Sequence, residues 1–352
     1  MPRARTLTEV YRRFGEVDAV NSPLYQRVAI ALSESDEAMR AIEAAPARTR
    51  QPARILAALH DLALAGRAPA LAAAYADGAF DAAASAAIDT WLSMTDDVTA
   101  VAARRKPQTL ATRHLAVLHP AIAEAARRAG ADAVGLVDLG GSASLDLHVD
   151  LVGITYEHGP SVGDPASPVQ LVSTIRGDRS VPDRPVPDVA ARVRVERDPI
   201  DATDEDDARW LRACVWPDQP EQAATLDAAI ALVRTAPPLL LPGDAEQLPD
   251  AIDRIPAGAL PVVVTTWALS SVSPEGRQRF LDRLHGVAAD RAVAWVSLEG
   301  VGVAPGVPTF GDRPASGHSI IGIAVFDGTE RRVEAVGRCW SRGHWLSWLA
   351  DP

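Results

Sequence analysis

The chain is short of cysteine, of lysine and of long apolar runs. Its two cysteines, Cys214 and Cys339, form no CxxC pair. That excludes a disulfide framework and a cysteine-based zinc site, and it suits a reducing compartment. No stretch reaches the roughly 20 uninterrupted apolar residues of a membrane span. The start, "MPRARTLTEVYRRFG", has neither an apolar h-region nor a small-residue cleavage site. Lys106 is the sole lysine, and arginine carries the remaining side-chain positive charge, a bias of GC-rich coding. The formal charge of −11 over 352 residues argues against a nucleic-acid backbone or an anionic membrane as main partner, since both demand a positive face. The one short basic run, Arg104, Arg105 and Lys106, reads as a solvated helix end. Eight histidines are scattered without HExxH or comparable spacing, so no metal site is inferred. What remains is a globular composition, 47% apolar and 23% charged. The expectation is a cytoplasmic protein acting on a small molecule, with homo-oligomer formation left open.

Residues 1–129 read as a helical domain. "SPLYQRVAIALS" offers Ser22 as N-cap and Pro23 at the first helical position. "QPARILAALHDLALAG" sets Ile55, Leu56, Leu59 and Leu62 at helical spacing and stops at Gly66. From residue 130 the texture changes. "AVGLVDLG", "ARVRVERD", "PPLLLPGD", "ALPVVVTTW" and "RAVAWVSLEG" alternate with helical segments, the signature of a doubly wound, mostly parallel sheet. "HSIIGIAVF" and "RRVEAVGRCW" flank Asp327-Gly328 and predict an antiparallel hairpin at the sheet edge. Residues 151–190, rich in Pro, Gly and Asp, read as an irregular excursion over the sheet.

In an open parallel sheet, ligands bind at the carboxyl ends of the strands, near the point where strand order reverses. "LVDLGGSASLD" at 136–146 ends the first predicted strand, where Gly140 permits a tight turn and Gly141 a close backbone approach. It lacks the GxGxxG pattern and is one residue short of a G-x-S-x-G elbow that would make Ser142 a hydrolase nucleophile. Glu196 ends the second strand, where a carboxylate could take a ribose diol. Gly243-Asp244-Ala245 follows the third, and Asp244 there serves equally as a helix N-cap.

That order resembles the class I S-adenosylmethionine-dependent methyltransferase fold, with its Rossmann-like sheet. More closely, "SPLY", "RQP", "GDPASPV", "DPID", "ARWLRACVWPDQ", "PGDA" and "SLEG" resemble an uncharacterised bacterial family, domain of unknown function 2332. The resemblance implies S-adenosylmethionine as cofactor, bound by Asp138, Gly140, Gly141, Ser142, Glu196, Asp244 and Ala245. Asp201, Trp267 and Arg113 are expected on the substrate side, with Asp164 or Glu299 accepting a proton. The sequence departs from the family at Asp138, Ser144 and Asp146 in the loop, and at Leu110 and Ala111 in a helix motif. A non-catalytic methyltransferase-like binding protein is therefore the alternative, and a serine hydrolase the third reading. His318 and His344 lie in or beside the predicted hairpin and read as packing.

Overall fold

The computed structural model describes residues 5–108, 112–140 and 145–351. In chain order the first helices are α1 (Leu7–Arg13), α2 (Pro23–Glu34), α3 (Asp36–Ala44), α4 (Pro52–Leu64), α5 (Pro69–Ala76), α6 (Phe80–Ser93), α7 (Thr95–Arg104) and α8 (Leu115–Ala129). Then follow β1 (Ala133–Leu139), β2 (Gly153–Glu157), β3 (Ser161–Gly163), β4 (Gln170–Ile175), β5 (Asp188–Glu196), α9 (Glu205–Cys214) and α10 (Pro220–Thr235). The last are β6 (Leu239–Pro242), α11 (Leu248–Asp253), β7 (Leu260–Thr266), α12 (Pro274–Ala288), β8 (Val293–Gly300), β9 (Ser319–Asp327), β10 (Glu330–Trp340) and β11 (Trp345–Trp348). The chain divides into two compact units, residues 1–110 with 204–227, and residues 111–203 with 228–352.

The first unit is helical, and its local signals act as the sequence predicts. Ser22 caps α2 by accepting from the Tyr25 amide, with Pro23 at the first turn. Ile55, Leu56, Leu59 and Leu62 of α4 are all buried. Against α4 packs α9, a later helix that the sequence pattern assigns to the sheet. Its buried face carries Ala208, Trp210, Leu211 and Ala213, and Asp204 caps it through the amides of Asp206 and Asp207. Trp210 donates to the Lys106 carbonyl at 3.1 Å, and Arg209 pairs with Asp61 at 3.0 Å. The expected boundary at 129/130 thus differs from the division that packing makes. An alanine-rich surface in the first 110 residues takes its cover from 204–227, and α8 packs instead on β7, β8 and β9.

The second unit is an open α/β sheet of order β3-β2-β4-β11-β10-β9-β8-β7-β1-β5-β6. Its parallel core β6-β5-β1-β7-β8 has the order 3-2-1-4-5 when these strands are counted along the chain. Such a sheet buries both faces, which is why β1 and β7 are near-continuous apolar runs rather than alternating ones. One face is cored by Val137, Val195, Val263 and Trp295 with Leu248, Phe280 and Leu284 of α11 and α12. β9 joins β8 antiparallel, and the β9–β10 hairpin turns at Asp327-Gly328 as expected. Residues 151–190 are not only an irregular excursion: β2, β3 and β4 carry the sheet onward beyond the hairpin through β11. Their short length and Pro/Gly-rich flanks hide the strand period in the sequence. Among the described residues, no single helix is long and apolar enough to cross a membrane.

Gly135 marks how tightly β1 is covered. A Cβ there would lie 2.2 Å from Ile255 Cγ2. Gly135→Ala should therefore overpack the sheet–helix layer and cost about 1–3 kcal/mol, read as a lowered denaturation midpoint. An unchanged midpoint would show that Ile255 yields without cost.

Candidate functional site

Strand order reverses between β1 and β7, so their carboxyl ends form the crevice where an open α/β sheet takes ligands. Gly140 leaves β1 at φ +74, its amide bonded to the Val195 carbonyl at 3.1 Å. A Cβ on it would meet Ala268 Cβ at 3.3 Å, so the turns after β1 and β7 nearly touch. Trp267 leaves β7 at φ +54, a left-handed conformation that a bulky residue adopts rarely. Its amide donates to Leu298 O at 2.9 Å and its indole N–H to Ser319 Oγ at 2.8 Å.

Three charged side chains share one face beside this crevice. Parallel pairing sets Asp138 of β1 opposite Arg194 of β5. The two-residue period of a strand puts Glu196 on that same face. Arg194 is fully buried, and its guanidinium reaches Asp138 Oδ2 at 3.3 Å and Glu196 Oε2 through both Nη2 and Nε. Burial of an arginine is tolerated only with such partners. Glu196 keeps a quarter of its side chain exposed, 27%, and among the described residues its Oε1 accepts no hydrogen bond. Arg194 entered the sequence analysis only as part of a strand. Its signal is there, an arginine at an inward position two before the acid, but its alignment with Asp138 exists only once the strands pair.

Asp244 stands at the end of β6 and does cap the turn Ala245–Gln247, accepting from the Glu246 amide at 2.9 Å while Gln247 reciprocates. It also pairs with Arg197 at 2.8 Å. The Glu246 amide and then Arg197 hold its carboxyl below the usual range.

A second polar group packs behind the crevice. His114, just before α8, bonds Asp146 through Nε2 at 2.5 Å, and both are buried. Burial pushes the Asp146 carboxyl up, but His114, Thr266 and Arg194 together bring it below its ordinary value. The His114 ring stands edge-on to Trp267 with centroids 5.6 Å apart. Among the described residues, the buried His114 Nδ1 and Asp146 Oδ2 find no hydrogen-bond partner. His114 had no role in the sequence reading, because nothing in "ATRHLAVLHP" distinguishes it from a core histidine.

Other expected residues lie elsewhere. Asp164 follows β3, nine strand steps from β5 and so roughly 40 Å along the sheet. Its carboxylate closes a local turn onto the Ala166 amide at 2.8 Å. Glu299 lies in β8 and is fully buried on the α11–α12 face, opposite to Asp138. It accepts from the Leu269 amide at 3.1 Å, and burial lifts its carboxyl to about 7. Neither is brought next to Glu196. Asp201 is on the connection out of β5, where it accepts from the Thr203 amide and hydroxyl at 2.9 and 2.7 Å. Arg113 is exposed and donates to His344 Nδ1 at 3.1 Å. His318 packs on Trp345 with ring centroids 5.4 Å apart and faces Asp312 at 3.6 Å. Gly141, Ser142, Ser144, Leu110 and Ala111 lie outside the described residues. Among the described residues, no group of three His, Cys, Asp or Glu is arranged to hold a metal ion.

The family model described as an uncharacterized protein conserved in bacteria, DUF2332, matches residues 8–348. No curated protein and no solved structure matches the chain. Because that match spans both the helical unit and the whole sheet, the chain belongs to the bacterial family DUF2332.

Proposed function

We propose that the second unit binds S-adenosylmethionine at the carboxyl edge of its parallel core and passes the methyl group to a small-molecule acceptor. The observation that carries this reading is Glu196. One of its oxygens is tied to Arg194, and the other accepts no bond from the described residues, at the end of the second strand of a 3-2-1-4-5 core. A carboxylate so oriented suits a vicinal diol, because two hydroxyls can donate to it at about 1.5–3 kcal/mol per charge-assisted bond. Arg194, itself paired with Asp138, holds Glu196 through its Oε2. Asp244 and the Ala245 backbone, at the end of the third strand, suit the edge of a base. Gly140, in a left-handed turn, carries the chain out of β1 at the same crevice. When bound, S-adenosylmethionine supplies an electrophilic methyl on sulfur, and the protein's part is to orient it and to exclude water.

Calorimetry with S-adenosylmethionine and S-adenosylhomocysteine tests this. Wild type should bind both, and Glu196→Ala should weaken each about ten- to a hundredfold. No heat with either ligand on folded wild type would end the cofactor reading, whereas tight binding by the variant would remove only Glu196 from it.

A second reading, a protein that holds the cofactor without transferring its methyl, is favoured by one observation. Asp164 lies nine strand steps from β5, and Glu299 lies on the face opposite Glu196. Binding without S-adenosylhomocysteine production across acceptor panels would select it. Covalent labelling by a fluorophosphonate, lost in Ser142→Ala, would instead select a hydrolase.

A further inference from the structure

Some arginines near the sheet's carboxyl edge are matched by carboxylates: Arg192 with Asp150, Arg194 with Asp138 and Glu196, Arg338 with Asp312. Arg113 and Arg342 are among those that are not. Arg113 lies with Nη1 3.1 Å from His344 Nδ1, where the guanidinium can only donate. Arg342 lies with its Cζ 5.9 Å from the Trp267 ring, in a left-handed conformation at φ +57. Neither has a carboxylate within ion-pair distance among the described residues.

The two arginines are brought together by backbone. Gly343, at φ +90, lies so close to the Arg113 carbonyl that a Cβ would come within 2.6 Å of its oxygen. Residues 342–344 therefore fold onto residues 113–114, and His114 stacks on the same Trp267 that Arg342 overlies. β10 runs in the direction of β7 and β8, since β9 is antiparallel to both β8 and β10. Its end at Trp340 thus lies at the carboxyl edge that holds the β1–β7 crevice.

Three features of this arrangement stand out. It places two exposed guanidinium groups near one another with no carboxylate partner among the described residues. It sets Arg113 just before the 15-residue helix α8, where the helix dipole already presents its positive end and a cation is unfavourable. It also keeps Arg342 in a backbone conformation that few non-glycine residues occupy. A bound anion would answer the first two features, because planar guanidinium forks pair carboxylate and phosphate oxygens two at a time.

We infer that Arg113, Arg342 and His344 form an oxyanion subsite beside Trp267, and that the acceptor substrate carries a carboxylate or phosphate group. The inference rests on reading the carboxyl edge of this sheet as the binding site. It adds the chemical class of the second ligand and a place for it, on the side of Trp267 away from Glu196.

The test uses inorganic phosphate and, separately, acetate, added at constant ionic strength without S-adenosylmethionine. The readout is the indole N–H resonance of Trp267, assigned by its loss in Trp267→Phe. At least one anion should shift it saturably. Arg342→Gln and Arg113→Gln should each weaken that affinity about tenfold or more. Arg331→Gln, over Phe326 near the start of β10, should leave it unchanged. The inference is overturned if neither anion moves the resonance, or if Arg331→Gln weakens binding as much as Arg342→Gln, since that is diffuse charge attraction. Anion binding by a protein that gives no heat with S-adenosylmethionine keeps the subsite and removes the cofactor. Heat with S-adenosylmethionine but no anion response keeps the cofactor and removes the subsite.

Discussion

Replacing Arg194 by methionine is expected to cost the second unit about 3–5 kcal/mol, the usual penalty for removing one partner from a buried ion pair. Methionine fills much of the volume, so the loss is chiefly electrostatic. Asp138 is fully buried and would lose the guanidinium 3.3 Å away, while Glu196 would lose the clamp on its Oε2. The companion change Asp138→Asn removes the charge that Arg194→Met strands. The double variant should therefore recover part of the loss, with a coupling of about 1–3 kcal/mol in a double-mutant cycle followed by urea unfolding. Additive single losses would mean that Asp138 and Arg194 do not sense each other. The same variant separates stability from ligand binding. If Arg194 positions Glu196, Arg194→Met should weaken S-adenosylmethionine even at temperatures where the protein is fully folded.

The second large effect concerns Glu299 and pH. Burial raises its carboxyl to about 7, against the opposing pull of the Leu269 amide, Thr265 and Arg277. A carboxyl raised from 4.5 to about 7 on folding binds its proton more tightly in the native chain than in the unfolded one between those values. Stability must then fall as pH rises from about 4.5 through about 7, and stay lower above it, by about 3 kcal/mol in all. Glu299→Gln keeps an acceptor for the Leu269 amide and removes the ionisation. The variant should match wild type near pH 4.5 and exceed it by about 2–3 kcal/mol at pH 8, measured by denaturant midpoints at both. Parallel pH profiles for the two proteins would show that Glu299 is not the group responsible.

Much of the fold is legible in the residues because it depends on local signals. The helix starts at Ser22 and Asp204, the stop of α8 at Gly130 in a left-handed conformation, and the turn at Asp327-Gly328 are each set by a few neighbouring atoms. The strands of the parallel core announce themselves as short apolar runs, since both faces of β1 and β7 are covered. The strands β2, β3 and β4 do not. They are short, flanked by Pro and Gly, and stabilised by pairing rather than by pattern.

The candidate site divides in the same way. Composition and spacing alone determined that this is an acidic α/β protein with a helical amino-terminal part and acids at the ends of successive strands. Which acids meet was settled only by tertiary structure. Asp138, Arg194 and Glu196 converge through the register of β1 against β5, and His114 meets Asp146 across 32 residues. Asp164 drops away because strand order, which no local pattern encodes, carries β3 to the far side of the sheet. Glu299 turns from the face that carries Asp138 and Glu196 because strand parity and register are fixed by pairing. Charge and hydrogen-bonding capacity belong to each residue, but distance belongs to the fold, and a buried charge depends above all on which partner lies within a few ångströms.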